Sequence, residues 1–496
     1  MLLAGVFLAA GLLLKLTAAN LSHILRVLRA SGDFSNSGES AFSALDSGLL
    51  IAGSVLLVIA VIMSLAQSRT SRLQMVSTRT FLILICGWQL AIGWIAISQL
   101  PRDQFDMTDE RWYLAQARNL AAGRELSWNH FNRSAENGEP TAFWPIGYPA
   151  VLSVLFRLFG DRMIVAQSFN LLAALGTTLM AYRLARSHFG EPAARATALV
   201  LAFMPSLTMY TVTILSESLL FLLLLSIIYL GLKPPTRWNT VGLGLLFGFA
   251  LLTRPIILFL PLLLLAYRYW QTRHWRSVAL QTVVIFALAE AVLLPWQIRN
   301  YQVFGSFIPF DTHGGWNYWQ GNKPTATGIA TPGEEFPREC YLLDRSGATN
   351  EATRDRLMFR KGLEWTLAHP AKALSLWPRK IIYFFYRDSK CVSWTVRGSY
   401  QSFPPAVLGA LYLITDGYYY ALGLAFFLAM IGLIRKKSIP PPVILFLGIC
   451  LYLLLVYLPF ITEARYHAPL LPLVAIMTVA AGDRVRSSPE ENPSPP

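Results

Sequence analysis

"TFLILICGWQLAIGWIAISQLPRDQFDMTDERWYLAQARNL" (residues 80–120) sets the fold question. Residues 80–100 carry no charge and reach the roughly 20 residues that a helix needs to cross a bilayer. Directly after them come Asp106, Asp109, Glu110 and Arg111. A membrane span followed at once by a knot of charge places ionisable groups at the edge of the apolar layer.

Working outward, the whole chain of 496 residues is 54% hydrophobic and only 14% charged, too apolar for a soluble protein to bury. Other runs, such as "GLLIAGSVLLVIAVIMSLA" (48–66), also reach spanning length. The pattern predicts an all-α polytopic membrane protein with about twelve transmembrane helices. The net charge of +14 does not imply nucleic-acid binding. Its Lys and Arg residues gather in short turns between spans, among them Arg69, Arg72, Arg183, Arg186, Lys233, Arg237, Arg268, Arg273 and Arg276. Such turns face the cytoplasm by the positive-inside rule, which puts residues 101–163 and 298–405 outside, in a multi-pass inner (plasma) membrane protein.

The expected organisation is an extra N-terminal pair of spans (1–75), then a transmembrane core (76–297) with a first external loop at 101–163. An extracytoplasmic region (298–405) follows, long enough to need its own folded layer, with an apolar, basic segment at 372–387 lying along the interface. Three closing spans (406–484) and a disordered Pro/Ser/Glu-rich tail (485–496) complete the chain. Residues 109–123 have helical spacing but are too polar to cross, so an interfacial helix is expected there. In "FWPIGYPAVLSVLFRLFG" (143–160), Pro145 and Pro149 break and redirect a short helix.

Asp109 and Glu110 head the interfacial helix, where carboxylates suit the positive helix terminus. Helix capping explains them; so does a carboxylate held at the membrane surface as a general base. Glu217, in "TILSESLLFLLLL", is an acid at the outer start of a span, either a solvated helix-start residue or a functional group. Glu290 lies deeper in its span and has no assigned role. Arg254, Arg299 and Arg465 fall on the same outer side, with Arg111 beside the acid pair. Single interfacial arginines snorkel, but a cluster of guanidinium forks fits a phosphate. In "GSFIPFDTHGGWNYWQGNKPTATG" (305–328), Trp316, Asn317, Trp319 and Asn322 either build a turn-rich loop or stack on and hydrogen-bond a sugar. His313 has no companions at ligand spacing, and no metal site is expected. Cys340 and Cys391 both fall in the external region, where a disulfide is chemically allowed.

Taken in order, the acid pair after an early span, the juxtamembrane prolines, Glu217, "LTRP", "PWQIRNYQVFGSFIP", "GGWNYWQGN" and "EARYHAPLLPL" resemble the GT-C membrane glycosyltransferases. The likeness is to the protein O-mannosyltransferase-like and aminoarabinose-transferase-like branch, over roughly residues 80–484. It implies a polyprenyl-phosphate-linked sugar as donor substrate, with no other certain cofactor. The sugar passes to a lipid, glycan or protein acceptor on the extracytoplasmic face. Asp109 matches the catalytic Asp of the acid pair, with Glu110 beside it, and Glu217 the outer-face acid of a later span. Arg254, Arg299 and Arg465 match basic positions that meet the lipid phosphate. The aminoarabinose type also carries a lysine near the juxtamembrane prolines, and "TAFWPIGYPA" (141–150) has none. A transporter or flippase of lipid-linked glycans is the competing class; it predicts broken helices at mid-membrane.

Overall fold

The structure, a computed structural model, describes residues 76–100, 108–129, 134–329, 336–340, 350–396 and 403–486. The expected N-terminal pair of spans (1–75) lies outside the described residues. The tail expected over 485–496 begins within the last helix, and its remainder also lies outside them.

The uncharged run at 80–100 is helix α1 (Thr78–Gln99), started by the Ser77 side chain accepting from the Thr80 amide. Helix α2 (Thr108–Ala121) follows with Asp109 and Glu110 in its first turn. It is more enclosed than an interfacial helix: Trp112, Tyr113, Leu114 and Ala117 are buried, while Arg111 and Arg118 face out. A short antiparallel pair, β1 (Ser127–Asn129) and β2 (Ser134–Pro140), leads to α3 (Gly147–Phe159), which packs on α2; it starts after Pro145 and carries Pro149 unbroken in its first turn, where a proline lacks no helical partner.

Then come α4 (Met163–Phe189), α5 (Glu191–Ala202) and α6 (Pro205–Val212). The last two are one apolar path bent by 51°, broken where Pro205 cannot continue the preceding ladder. Helices α7 (Glu217–Leu232), α8 (Arg237–Thr253), α9 (Leu260–Thr272) and α10 (Trp275–Phe304) complete the core. Helix α8 lies so close along α10 that a Cβ on Gly248 would stand 2.7 Å from the Ala289 carbonyl oxygen. Small residues permit this approach where lipid supplies no hydrophobic drive between helices.

The described residues of the region expected to be external are mostly helical. It contains α11 (Gly314–Gly321), α12 (Glu351–Ala368), α13 (Pro370–Ser375), α14 (Trp377–Phe384) and α15 (Lys390–Val396). The segment expected to lie along the interface at 372–387 is thus split between α13 and α14, and Lys380 within it is buried, its amine donating to the Leu458 carbonyl at 2.8 Å. Because α10 runs on to Phe304, the boundary placed at 297/298 falls inside a helix. Helices α16 (Pro405–Arg435) and α17 (Pro441–Tyr457), a 3-10 turn (Ala464–Leu470) and α18 (Leu471–Arg486) close the chain.

Among the described residues, five helices are long and apolar enough to cross a bilayer, or six if the bent α5–α6 pair is one span. This is a membrane protein. Within the regions expected to hold core and closing spans, α7, α8, α9 and α17 have 16, 17, 13 and 17 residues. At 1.5 Å per residue each falls short of the roughly 30 Å hydrocarbon layer.

Candidate active site

Helix direction assembles the site. Helix α7 begins at Glu217, α8 ends beside Arg254, and α2 begins next to Asp109, so all three termini meet at one end of the bundle. The basic turn with Lys233 and Arg237 lies at the opposite ends of α7 and α8. Arg254 stands in extended backbone because Pro255 disfavours helix for the residue before it.

Four elements contribute to one ion network there. Arg465 on the 3-10 turn donates from Nη2 to Asp109 Oδ2 at 2.8 Å and from Nη1 to Glu217 Oε1 at 3.4 Å. Its Nε stands 3.1 Å from Glu463 Oε2, an ion contact off the hydrogen-bond line. The guanidinium lies over the Trp394 ring, 4.2 Å from its centroid. Arg254 donates from Nη2 to the same Glu217 oxygen and from Nε to Ser216 Oγ, both at 2.9 Å. Two cations against three carboxylates make each buried charge dependent on the others.

Asp109, Arg254, Glu463 and Arg465 line a cavity of about 520 Å³, a size suited to a small ligand. The facing wall is aromatic. His313 lies 4.5 Å from Phe143, 5.4 Å from Trp144 and 5.2 Å from Trp316 by ring centroids, stacked on the last. Tyr457 and Tyr466 form a third side, their rings stacked at 4.3 Å.

Helix α12 holds the aromatic wall from behind. Glu351 at its start accepts from the Ala142 amide and the Thr141 hydroxyl, both at 2.7 Å, and from the Thr312 hydroxyl. Thr312 also donates its amide to the Ala142 carbonyl, so Glu351 and this bond tie the segment at Thr141–Ala142 to the one at Thr312. Asp355, one turn on, accepts from the Gly315 amide at 2.6 Å. A Cβ on Gly315 would stand 1.9 Å from the Asp355 carbonyl oxygen, so only glycine fits.

Burial, together with the charges of Arg254 and Arg465, pushes the His313 imidazole down to about 4 and keeps it neutral. Burial, and then the neighbouring Asp355 and Glu351, push Asp311 up to about 7 against the lowering effects of the His313 amide and Arg254.

The site residues named from sequence divide. Asp109, Arg254, Arg465, Trp316 and Asn317 line the cavity, and Glu217 sits directly behind it, joining both arginines. Glu110 is elsewhere: about 100° round the helix from Asp109, it is buried and accepts the Ile214 amide at 2.8 Å, tying α2 to the α6–α7 linker. Arg111 is exposed and off the cavity. Arg299 is also outside it, joined to Glu125 and to the Thr141 carbonyl at 3.0 Å, where it fixes the approach to the aromatic wall. Trp319 packs on Cys340, Leu357 and Met358, and the Asn322 amide donates to the Tyr318 and Pro459 carbonyls; neither lines the cavity.

Cys340 and Cys391 are not bonded to each other. They are buried in separate clusters, and the Cys391 thiol donates to the Asp388 carbonyl at 3.1 Å. Trp144, Asp311, Trp394, Glu463 and Tyr466 are cavity residues that the sequence did not single out. Only "FDTHGG" carried a signal, its paired glycines marking a close backbone approach. Among the described residues no group of three or more His, Cys, Asp or Glu side chains could hold a metal ion.

Residues 144–296 match the family described as dolichyl-phosphate-mannose-protein mannosyltransferase. That stretch takes in Trp144, Glu217 and Arg254, but neither Asp109 nor Arg465. Among solved structures, the chain is similar to ArnT from Cupriavidus metallidurans bound to undecaprenyl phosphate, with 16% identity over 83% of this chain and 79% of that one (TM-score 0.40). It is similar to the Archaeoglobus fulgidus oligosaccharyltransferase in complex with Zn and sulfate, with 14% identity over 80% of this chain and 48% of that one (TM-score 0.44). A third is AglB from Archaeoglobus fulgidus in complex with an inhibitory peptide and a dolichol-phosphate, with 11% identity over 81% of this chain and 50% of that one (TM-score 0.45). The chain spans about half the length of the two archaeal chains. No curated protein matches. The resemblance read from the motifs and the family matched over 144–296 agree on a membrane glycosyltransferase.

Proposed function

We propose that this protein transfers a sugar from a polyprenyl-phosphate-linked donor to an acceptor lipid, glycan or protein at the extracytoplasmic face of the plasma membrane. The observation that carries the reading is the single cavity shared by Asp109, the two arginines and an aromatic wall. The family matched over 144–296 is described by a lipid-phosphate-linked sugar donor, which supports the donor class.

In this reading the sugar ring packs on Trp144, His313 and Trp316, whose apolar faces suit the C–H face of a hexose. Asp109, paired through Oδ2 with Arg465, takes the proton of the acceptor hydroxyl or amine through Oδ1, which makes no bond to the described residues. The acceptor attacks the anomeric carbon from the face opposite the phosphate, inverting the centre. The bond from that carbon to the phosphate oxygen breaks, and its electron pair leaves with the lipid phosphate. Arg254 uses two of its nitrogens on Ser216 and Glu217, leaving the amine at Nη1 to meet the departing charge. Basic turns at the far ends of α7 and α8 support the outward orientation.

The test is transfer by purified full-length protein in detergent, given undecaprenyl-phosphate-linked radiolabelled hexoses and solubilised membranes as acceptor source. Incorporation that disappears in Asp109→Asn supports the reading. No incorporation from any hexose donor, together with glycolipids and glycoproteins unchanged on deleting the expressed gene, sinks it.

A further inference from the structure

We propose that Asp311, in its protonated form, donates a hydrogen bond to the phosphate of the lipid-linked donor and thereby makes donor binding pH-dependent; this rests on the polyprenyl-phosphate reading above.

The cavity's three carboxylates are not equivalent. Asp109 and Glu463 both face the Arg465 guanidinium, at 2.8 and 3.1 Å. Asp311 has no cationic partner among the described residues. Its Oδ1 accepts from the His313 amide at 3.0 Å, and its Oδ2 makes no bond to the described residues. The groups around it come from each neighbouring element. Asp355 and Glu351 face it from α12 and Arg254 from the end of α8, His313 adjoins it on its own loop, and Asp109, Glu463 and Arg465 share the cavity. Burial and the two α12 carboxylates hold its proton on to about 7, whereas an ordinary Asp is ionised there.

A phosphodiester is a monoanion. Arg254 and Asp311 line the same cavity, so a phosphodiester seated against Arg254 Nη1 shares that space with the Asp311 carboxyl. An ionised Asp311 would repel it, whereas a protonated one offers an O–H donor, and the bound anion favours the protonated form further. Asp311 is then a positioning residue for the donor, distinct from the base.

The probe is farnesyl methyl phosphate, a diester with one charge across the working range, titrated calorimetrically into the full chain in detergent. For a group that must carry its proton and titrates near 7, affinity falls about 30-fold between pH 6 and pH 8.5. Asp311→Asn, whose amide donates at every pH, is expected to bind with a flat profile. Asp355→Asn keeps an oxygen for the Gly315 amide but removes a charge that raises Asp311, so its fall in affinity begins at lower pH. A flat wild-type profile, a wild-type limb retained in Asp311→Asn, or an unmoved limb in Asp355→Asn overturns the assignment and leaves the donor class standing. Failure of the diester to bind wild-type protein at any pH overturns both. Should Asp311→Asn not fold, the other two profiles decide.

Discussion

Replacing Asp109 by Asn separates a base from a mere anchor for Arg465. The amide keeps an oxygen for Arg465 Nη2, and Arg465 retains Glu217 at 3.4 Å and Glu463 at 3.1 Å. The two cations then face two carboxylates instead of three, so the network becomes neutral and the buried guanidinium is not left unpaired. The fold should persist, and the site becomes less repulsive to an anionic donor. A general base contributes roughly 10²–10⁴ in rate, about 3–5 kcal/mol of barrier. The expected outcome is kcat lowered by that factor with the donor KM unchanged or reduced, measured by radiolabel transfer at matched amounts of folded protein. A kcat within about tenfold of wild type would refute the assignment as base. A raised donor KM at unchanged kcat would instead make Asp109 a spacer for Arg465.

Other outcomes follow from the same geometry. Glu217→Gln removes the one carboxylate that Arg254 meets among the described residues; losing a partner of a buried pair costs about 3–5 kcal/mol, seen as a lower yield of folded protein and a lower melting temperature in detergent. Arg254→Ala should raise donor KM about 10–100-fold, the worth of a charge-assisted hydrogen bond, whereas Arg111→Ala should leave both kinetic constants within about twofold. Alkylation of the denatured protein without reductant should label Cys340 and Cys391; a cross-linked peptide pair in the mass spectrum would contradict their separate burial.

The membrane class and the positions of the longest spans were legible in the sequence because lipid leaves little choice: a helix must satisfy its own backbone and show about 20 apolar residues. Residues 80–100 obey that rule on their own, and so do α4 and α16. The acid pair was legible as a location and not as a role. Adjacent helical residues point about 100° apart, so only packing sends Asp109 to the cavity and Glu110 to the Ile214 amide. The arginines divide for a similar reason: four on one side looked alike, but Arg254 and Arg465 line the cavity while Arg111 faces away and Arg299 binds Glu125. The expected disulfide rested on a shared region, which says nothing of whether two thiols can meet.

What the sequence determined by itself is what acts locally: the long apolar spans and the carboxylates that begin α2 and α7. What only the tertiary structure decided is which charges face one another. Arg465 reaches Asp109 across 356 residues, and Glu351 fixes the loop holding Asp311 and His313 through bonds to Thr141, Ala142 and Thr312. Such contacts depend on where helix ends converge, and Asp109 at the start of α2 becomes part of a site only where the 3-10 turn at Ala464–Leu470 brings Arg465 to it.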